Sequence, residues 1–416
     1  MERLELFCSK NACRISTGGT SIETIKNERA EEVNVMSQNK AYKFRLYPNK
    51  EQQARIHQTH GHCRFVYNHF LALWNTSYKE EGKGLNRSLM SKVLTKMKKQ
   101  DETAWLRNVD SVALQASYEC LIDAFNRFFK KQNNYPRFKS KKNPVQSYTT
   151  KNTNNNIAIV GKRIKLPKLG LVKFKQTCVV EGRIMRATIK YNASGHFYVS
   201  ITCEVPDIQP LPKTNQTVGI DLGITDFAIL SDGRKVENQR FTVKMEQQLK
   251  REQRKLSRRY EQAKKEKRDV RDCMNYQKQR MKVARLRERV AFQREDFLNK
   301  LSTELIRQYD IICLEDLNTK GLLKNHKLAK AISDVSWSSF VQKLMYKAKW
   351  YGREIVKISR FYPSSQLCHV CGHRDGKKSL DIREWICPSC GAVLDRDINA
   401  SRNILAEGLT LLTQQP

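Results

Sequence analysis

Two cysteine pairs, Cys368-His-Val-Cys371 and Cys387-Pro-Ser-Cys390, stand fifteen residues apart and constrain this chain more than any other feature. The C-x2-C-x15-C-x2-C spacing is that of a zinc ribbon, in which two thiolate knuckles close one tetrahedral Zn2+ site. Gly372 and Gly391 follow the pairs directly and suit the tight turns of knuckles. Two pairs without a thioredoxin pattern exclude a redox reading, and a closed four-thiolate site keeps no open position for catalysis. One structural Zn2+ on Cys368, Cys371, Cys387 and Cys390 is therefore expected, with His369 and His373 as spectators. The other eight cysteines are single and scattered, which indicates a reducing compartment and not a disulfide framework.

A ribbon this small accounts for little of a 416-residue chain, which is long enough for two or three domains. Its 77 Lys and Arg stand against 42 Asp and Glu, a formal net charge of +35. So large a charge opposes compaction unless a polyanion neutralises it, so nucleic acid is the expected partner. A membrane surface is the weaker alternative, because the sequence offers no amphipathic anchor and no run of 18 apolar residues. Residues 1–39 lack periodicity and any apolar signal core. They are read as a disordered leader or an upstream extension, with Met36 just before the first strand.

The alternation Tyr42-Lys-Phe-Arg-Leu46 predicts a half-buried strand over 40–48, stopped by Pro48. Asn49 with Gln52 reads as a capping box opening a helical block over 49–133. There, Leu114, Tyr118, Leu121, Phe125 and Phe128 form one apolar stripe that is core, while opposite faces carry cations suited to phosphates. Residues 134–211 are strand-rich, opened by Tyr135-Pro-Arg-Phe-Lys139. They contain a hairpin of Ile184–Tyr191 with Phe197–Val205, and Pro206–Pro212 is a linker. A small β-barrel completed by the first strand, with the helical block inserted, is the economical architecture.

From residue 212 onward the pattern is α/β. Val218-Gly-Ile-Asp-Leu-Gly-Ile-Thr-Asp-Phe-Ala-Ile-Leu230 reads as a hairpin, and Ser231-Asp-Gly233 as turn chemistry. Asp221 lies in its apolar first strand, where an unanswered carboxylate is costly. It is either a metal-binding acid or a strand-end turn residue. Between Lys244 and Val290 there are 18 Lys and Arg against 7 Asp and Glu, an excess that favours a nucleic-acid-facing helical insertion (about 244–300) over a merely solvated one. Ile311–Leu314 is a buried strand ending at Glu315. Trp337–Tyr351 is a helix stopped by Gly352, Glu354–Ile358 is a strand, and Asp395-Arg-Asp397 opens a final helix after the ribbon (about 364–394). Taken singly, Glu315 and the helix-opening aspartates suit surface or N-cap roles. Together with Asp221 they form the acid set of an RNase H-like nuclease, where carboxylates from two strands and a helix hold two Mg2+.

Gly219-Ile-Asp-Leu-Gly-Ile-Thr-Asp-Phe-Ala228, Leu314-Glu-Asp-Leu317, Pro363-Ser-Ser-Gln-Leu-Cys-His-Val-Cys-Gly372 and Asp395-Arg-Asp-Ile-Asn-Ala400 resemble the motifs of the TnpB family. These are transposon-encoded RNA-guided nucleases related to type V CRISPR effectors. Tyr42–Pro48, Arg64-Phe-Val-Tyr-Asn68 and Tyr135–Lys139 are similar to the N-terminal half of that family, so the resemblance covers about residues 37–407. It implies a multidomain α+β chain. A wedge β-barrel carries an inserted α-helical recognition lobe, and an RNase H-like (RuvC) α/β nuclease domain over 212–416 carries the zinc ribbon.

The resemblance also implies a guide RNA, one protein per guide, a short adjacent motif read on target double-stranded DNA, and cutting of both strands in one site. Carried over by position, the catalytic acids and Mg2+ ligands are Asp221, Glu315 and Asp397, with Asp395 outside the set. Arg383 is implied to approach the scissile phosphate. The setting would be a prokaryotic cytoplasm, on the nucleoid when bound to target. Leu394 replaces a histidine common in relatives, and a packing role is expected for it. Two alternatives stay open: a nuclease-inactive RNA-guided DNA-binding repressor, and a DNA transposase that recognises element ends directly.

Overall fold

The computed structural model describes residues 38–416 except 207–208, 327, 380 and 415–416. Most of the expected leader lies outside them. Its last two residues do not: Gln38 and Asn39 already pair with Val205 and Glu204, so the first strand starts earlier than the alternation indicated.

The N-terminal half begins with β1 (Gln38–Tyr47), α1 (Lys50–Glu81), α2 (Arg87–Met97), a 3-10 segment (Asp101–Asn108) and α3 (Ser111–Phe129). The capping box forms as expected, with Asn49 accepting from the Gln52 amide and Gln52 returning a bond to the Asn49 N–H. Six strands follow: β2 (Gln146–Lys151), β3 (Ala158–Val160), β4 (Arg163–Leu166), β5 (Gly170–Lys175), β6 (Arg183–Tyr191) and β7 (Phe197–Val205). Tyr135–Lys139 precedes them as irregular chain. Its backbone is engaged by α1, where Asn68 brackets both backbone groups of Lys139, so no strand partner is needed.

The strands form one antiparallel sheet in the order β2-β6-β7-β1-β5-β4-β3. β1 sits in its middle, joining β7 to β5. Among the described residues no ladder joins β2 to β3, so the pairings are those of an open seven-stranded sheet. One core runs through sheet and helices, with Phe44, Phe70, Leu114, Phe125 and Val199 all buried. Phe128, assigned to the same stripe, is only half-buried, at the helix end where Phe129 and Tyr135 pack on it.

The C-terminal half begins with β8 (Thr217–Asp221), β9 (Asp226–Leu230), β10 (Lys235–Glu237), α4 (Phe241–Lys244), α5 (Glu246–Lys265) and α6 (Met274–Gln308). It continues through β11 (Ile311–Glu315), α7 (Thr319–Leu322), α8 (Ala329–Val335), α9 (Trp337–Tyr351), β12 (Glu354–Ile358), β13 (Glu384–Ile386), β14 (Val393–Asp395) and α10 (Arg396–Thr413). The predicted hairpin exists, as β8 with β9. The Ser231–Gly233 turn, however, leads on to a third strand, β10, with Gly233 at φ +94°. Asp226 is the first residue of β9. Asp232 does lie in the turn, accepting from Tyr309 Oη at 2.7 Å.

The five-stranded sheet has the order β10-β9-β8-β11-β12, with β8, β11 and β12 parallel. Strand alternation separates its faces. Val218, Ile220, Ile312 and Leu314 bury against α6 and α9, where Phe227 meets Phe297 and Phe340 edge to face at 5.1 Å each. Gly219 and Cys313 face the other way, onto α10, as do the next residues of that parity, Asp221 and Glu315.

Helix α10 lies directly on β8 because Gly219 has no side chain. A Cβ there would come within 2.1 Å of the Ser401 carbonyl oxygen and 2.7 Å of the Leu405 nitrogen, both helix backbone. Neither atom can step aside alone, so Gly219→Ala is expected to cost at least the ~1–3 kcal/mol of core overpacking. Chemical denaturation of the full chain would show this as a lower midpoint at unchanged slope.

Candidate nuclease and metal sites

The thiols converge as their spacing implied. Sγ atoms of Cys368 and Cys390 lie 3.7 Å apart, those of Cys371 and Cys387 3.6 Å, and all four fall within 4.8 Å of one another. A tetrahedral site with Zn–S bonds of ~2.3 Å has edges of about 3.8 Å, so the set fits one Zn2+. Gly372 and Gly391 hold φ of +75° and +70°, the left-handed turns that knuckles require. Burial pushes the Cys387 thiol up, but N–H groups of Cys390 and Ser389 outweigh it and hold it below the usual thiol range, while, against the N–H of Ala392, the neighbouring thiols push Cys390 up, as four sulfurs sharing one space must. Trp385 and Leu394 pair across β13 and β14 and bury beside Cys368 and Cys387, so Leu394 does pack.

His369 leaves the thiols and meets Asn399 on α10, its backbone N–H and ring Nδ1 2.9 and 3.0 Å from Oδ1. Asn399 donates in turn to the Leu367 carbonyl, and Asn403, one turn on, donates to the carbonyls of Ser364 and Leu367. These two buried asparagines bolt the ribbon to α10. Their i, i+4 spacing puts both on one face of the helix, but that face also carries Arg396 and Glu407, so the sequence alone did not single them out.

The acids occupy the C-terminal ends of two adjacent parallel strands and the start of α10. Leu314 pairs with Ile220, so Glu315 and Asp221 come one step later on neighbouring strands about 4.8 Å apart. Asp395 is the N-cap of α10, accepting from the N–H groups of Asp397 and Ile398 and ion-paired to Lys235 at 2.7 Å. Asp397 lies one residue into the helix and takes neither of those roles.

Among the described residues the thiolates are the only ligating set of three or more drawn within 4.8 Å. The acids are looser but share one field. Burial, then the charges of Glu315 and Asp397, push the Asp221 carboxyl up to about 7. Burial also raises Glu315, against a hydrogen bond from Ser364 Oγ at 2.8 Å. Arg383 Nη1 meets Asp397 Oδ2 at 3.0 Å. Arg383 and the charge of Arg396 answer part of this negative charge, and the hard carboxylate oxygens left in one poorly solvated space suit a divalent cation such as Mg2+. Ser364, which orients Glu315 from the loop after β12, had no distinguishing signal in the sequence.

A buried Arg353 fixes the approach to β8. It pairs with Asp310 at 2.6 Å and donates to the carbonyls of Leu211 and Pro212, while Asp310 accepts from the N–H groups of Thr214 and Asn215. The segment expected to be a linker is thereby tied to the sheet. Among the described residues no helix is long and apolar enough to cross a membrane.

The chain is thus a multidomain α/β protein with a four-cysteine ribbon inserted between the last sheet strand and the last helix. Residues 200–326 match a family model described as "Probable transposase", residues 337–404 one described as "Cas12f1-like, TNB domain", and residues 36–83 a "Helix-turn-helix domain". It is 39% identical over 377 residues to a "Putative RNA-guided DNA endonuclease" of Streptomyces pristinaespiralis, covering 89% of each chain. It is 31% identical over 393 residues to "Putative RNA-guided DNA endonuclease InsQ" of Escherichia coli (strain K12), covering 91% of this chain and 94% of that one. A "TnpB-like protein L79" of Acanthamoeba polyphaga mimivirus is 27% identical over 231 residues, 53% of this chain and 43% of the viral one. A solved "Cas12f1-sgRNA-target DNA complex" superposes at TM-score 0.49 with 13% identity, covering 88% of this chain and 98% of that one. At this identity and coverage to curated relatives, the chain belongs to the TnpB family.

Two expectations follow. Asp221 has a folded value near 7 against an unfolded one near 4, so the stability its neutral form contributes is full below pH ~4 and lost as pH rises through 7. Metal-free Asp221→Asn is therefore expected to exceed the metal-free native chain in stability at pH 8, by as much as about 4 kcal/mol, with the gap closing toward pH 4. Added Mg2+ at pH 8 should raise the melting temperature of the native chain and leave that of the variant unchanged. For the ribbon, Cys387→Ser is expected to lower zinc content by elemental analysis from one per chain toward zero, and full occupancy would exclude the four-thiolate site.

Proposed function

We propose that this chain is an RNA-guided DNA endonuclease that hydrolyses both strands of target duplex DNA in one RuvC-type, RNase H-like site formed by Asp221, Glu315 and Asp397. The observation that carries the reading is the placement of these three acids on one face of the sheet, close enough for two of them to raise the third. The relatives named as RNA-guided DNA endonucleases and the +35 charge support RNA and DNA as its partners.

In this reading the three carboxylates would hold two Mg2+, which would supply Lewis acidity toward the scissile phosphodiester and the attacking water. The chain does the rest by positioning. Ser364 fixes the rotamer of Glu315, and the cap at Asp395 fixes the first turn of α10 and so Asp397. Arg383, half-exposed, balances Asp397 and offers the same guanidinium to an incoming phosphate. The zinc ribbon holds α10 through Asn399 and Asn403 and takes no part in hydrolysis. The basic helices α5 and α6 track phosphates of the RNA or its heteroduplex, and the open sheet with α1–α3 corresponds to the wedge and recognition lobe.

Protein purified without nuclease treatment is expected to carry a structured RNA, whose sequencing supplies the target. With Mg2+ it should then cut matching duplex DNA. Asp221→Ala should reduce cutting by more than about a thousandfold while leaving RNA and target binding intact. Cutting by the alanine variant at the native rate would remove Asp221 from the site. Purification free of RNA would favour direct recognition of DNA ends by a transposase, and RNA-dependent binding without cutting would favour a repressor.

A further inference from the structure

Phe361 is the most exposed large apolar side chain among the described residues, 86% accessible. Isolated exposed apolar residues are ordinary on protein surfaces. This one differs in how firmly it is held and in what it stands beside.

Arg360 and Phe361 form the corner of a turn closed by Tyr362 N–H to the Ser359 carbonyl at 3.1 Å, with Phe361 N–H donating to Ser359 Oγ at 3.3 Å. Each neighbour is anchored. Arg360 pairs with Asp316 at 2.9 Å, the residue after Glu315. Tyr362 packs into the apolar cluster of Ile358 and Ile404. Ser364 donates to Glu315 and accepts from Asn403 on α10. The backbone carrying Phe361 is thus fixed on both sides while its ring is left in solvent. Ser364 is three positions on, a reach of at most ~11 Å, and Arg360 and Ser364 touch Asp316 and Glu315, so Phe361 is carried on a turn beside the C-terminal end of β11, with Lys357 and Arg360 both paired to Asp316.

A rigid, solvent-facing aromatic among cations is the arrangement that binds single-stranded nucleic acid. Every base has a π-face, stacking is indifferent to sequence, and the cations follow the backbone. We infer that Phe361 is a stacking platform for one base of the single strand led into the Asp221–Glu315–Asp397 cleft, a positioning residue that sets which phosphodiester faces the acids. The inference rests on the nuclease reading. Stacking also explains why the ring is presented at a fixed turn corner: a preformed platform loses little conformational freedom when a base arrives.

The test uses the full chain with the RNA it carries and with Asp221→Ala, so that no substrate is consumed. A single-stranded DNA oligonucleotide carrying 2-aminopurine at successive positions is titrated in, and stacking is read as fluorescence quenching. Quenching at a defined position is expected with Phe361, kept by Phe361→Tyr and lost in Phe361→Leu, which preserves apolar bulk without a π-face. With Asp221 intact, Phe361→Leu should slow single-turnover cutting about tenfold, within the range for one stacked base. Phe361→Tyr should stay within about twofold of the native rate. Melting temperature and affinity for target duplex should be unchanged in both variants. Equal quenching by the leucine variant, or a slowed rate matched by a lower melting temperature, would overturn the inference. If the native chain cuts no DNA with any divalent cation, the nuclease reading fails, and the quenching still decides whether Phe361 stacks.

Discussion

The close approach of α10 to β8 at Gly219 is the contact on which the C-terminal half depends. Helix backbone rests against strand backbone there, with no room for even a methyl group. The same helix passes Cys313 on β11 at Gly408, where a Cβ would lie 2.3 Å from the sulfur. Two missing side chains therefore set the height of α10 above the sheet along most of its length. That height determines how far Asp397, in the helix's first turn, stands from Asp221 and Glu315.

Polar connections then fix where along the sheet the helix sits. Asn399 and Asn403 engage the chain between Ser364 and His369, and Ser364 in turn engages Glu315. The second and third acids are thus linked through one short loop and two helix residues, and the four-thiol ribbon stiffens that loop from outside. A buried amide left without its partner costs about 1–3 kcal/mol, so the clamp is specific as well as tight. The cysteines matter to the acids through this path, although they lie outside the cleft.

Helix α6 plays the corresponding part between the two halves. At 35 residues it spans about 50 Å. Its C-terminal part buries Leu298, Leu301 and Leu305 against the five-stranded sheet. Nearer its start, Glu288 collects His196 at 2.7 Å, Tyr198 at 3.0 Å and Asn192 at 3.2 Å from the β6–β7 hairpin. One basic helix therefore contacts both sheets. A polyanion lying along it would touch elements fixed to the sheet that bears Asp221 and Glu315.

Local chemistry carried much of this in the sequence. Cysteine spacing fixed the ribbon, because four thiolates around one cation tolerate few geometries. Alternation and capping placed most strands and helices, because side-chain period and orphan amides act over a few residues. The acids' order along the chain pointed to one site through family resemblance. What lies between distant segments was decided by tertiary structure alone. Nothing local distinguishes Ser364 as the partner of Glu315, Glu288 as the joint between halves, or Arg353 as the tie on the segment before β8. The extension of β1 to Gln38 and the third strand at Lys235 likewise depend on neighbours supplied by remote chain. Asp221 shows the division most clearly: its strand was readable from its apolar flanks, but its raised carboxyl exists only because folding brings Glu315 and Asp397, 94 and 176 residues later, into the same poorly solvated space.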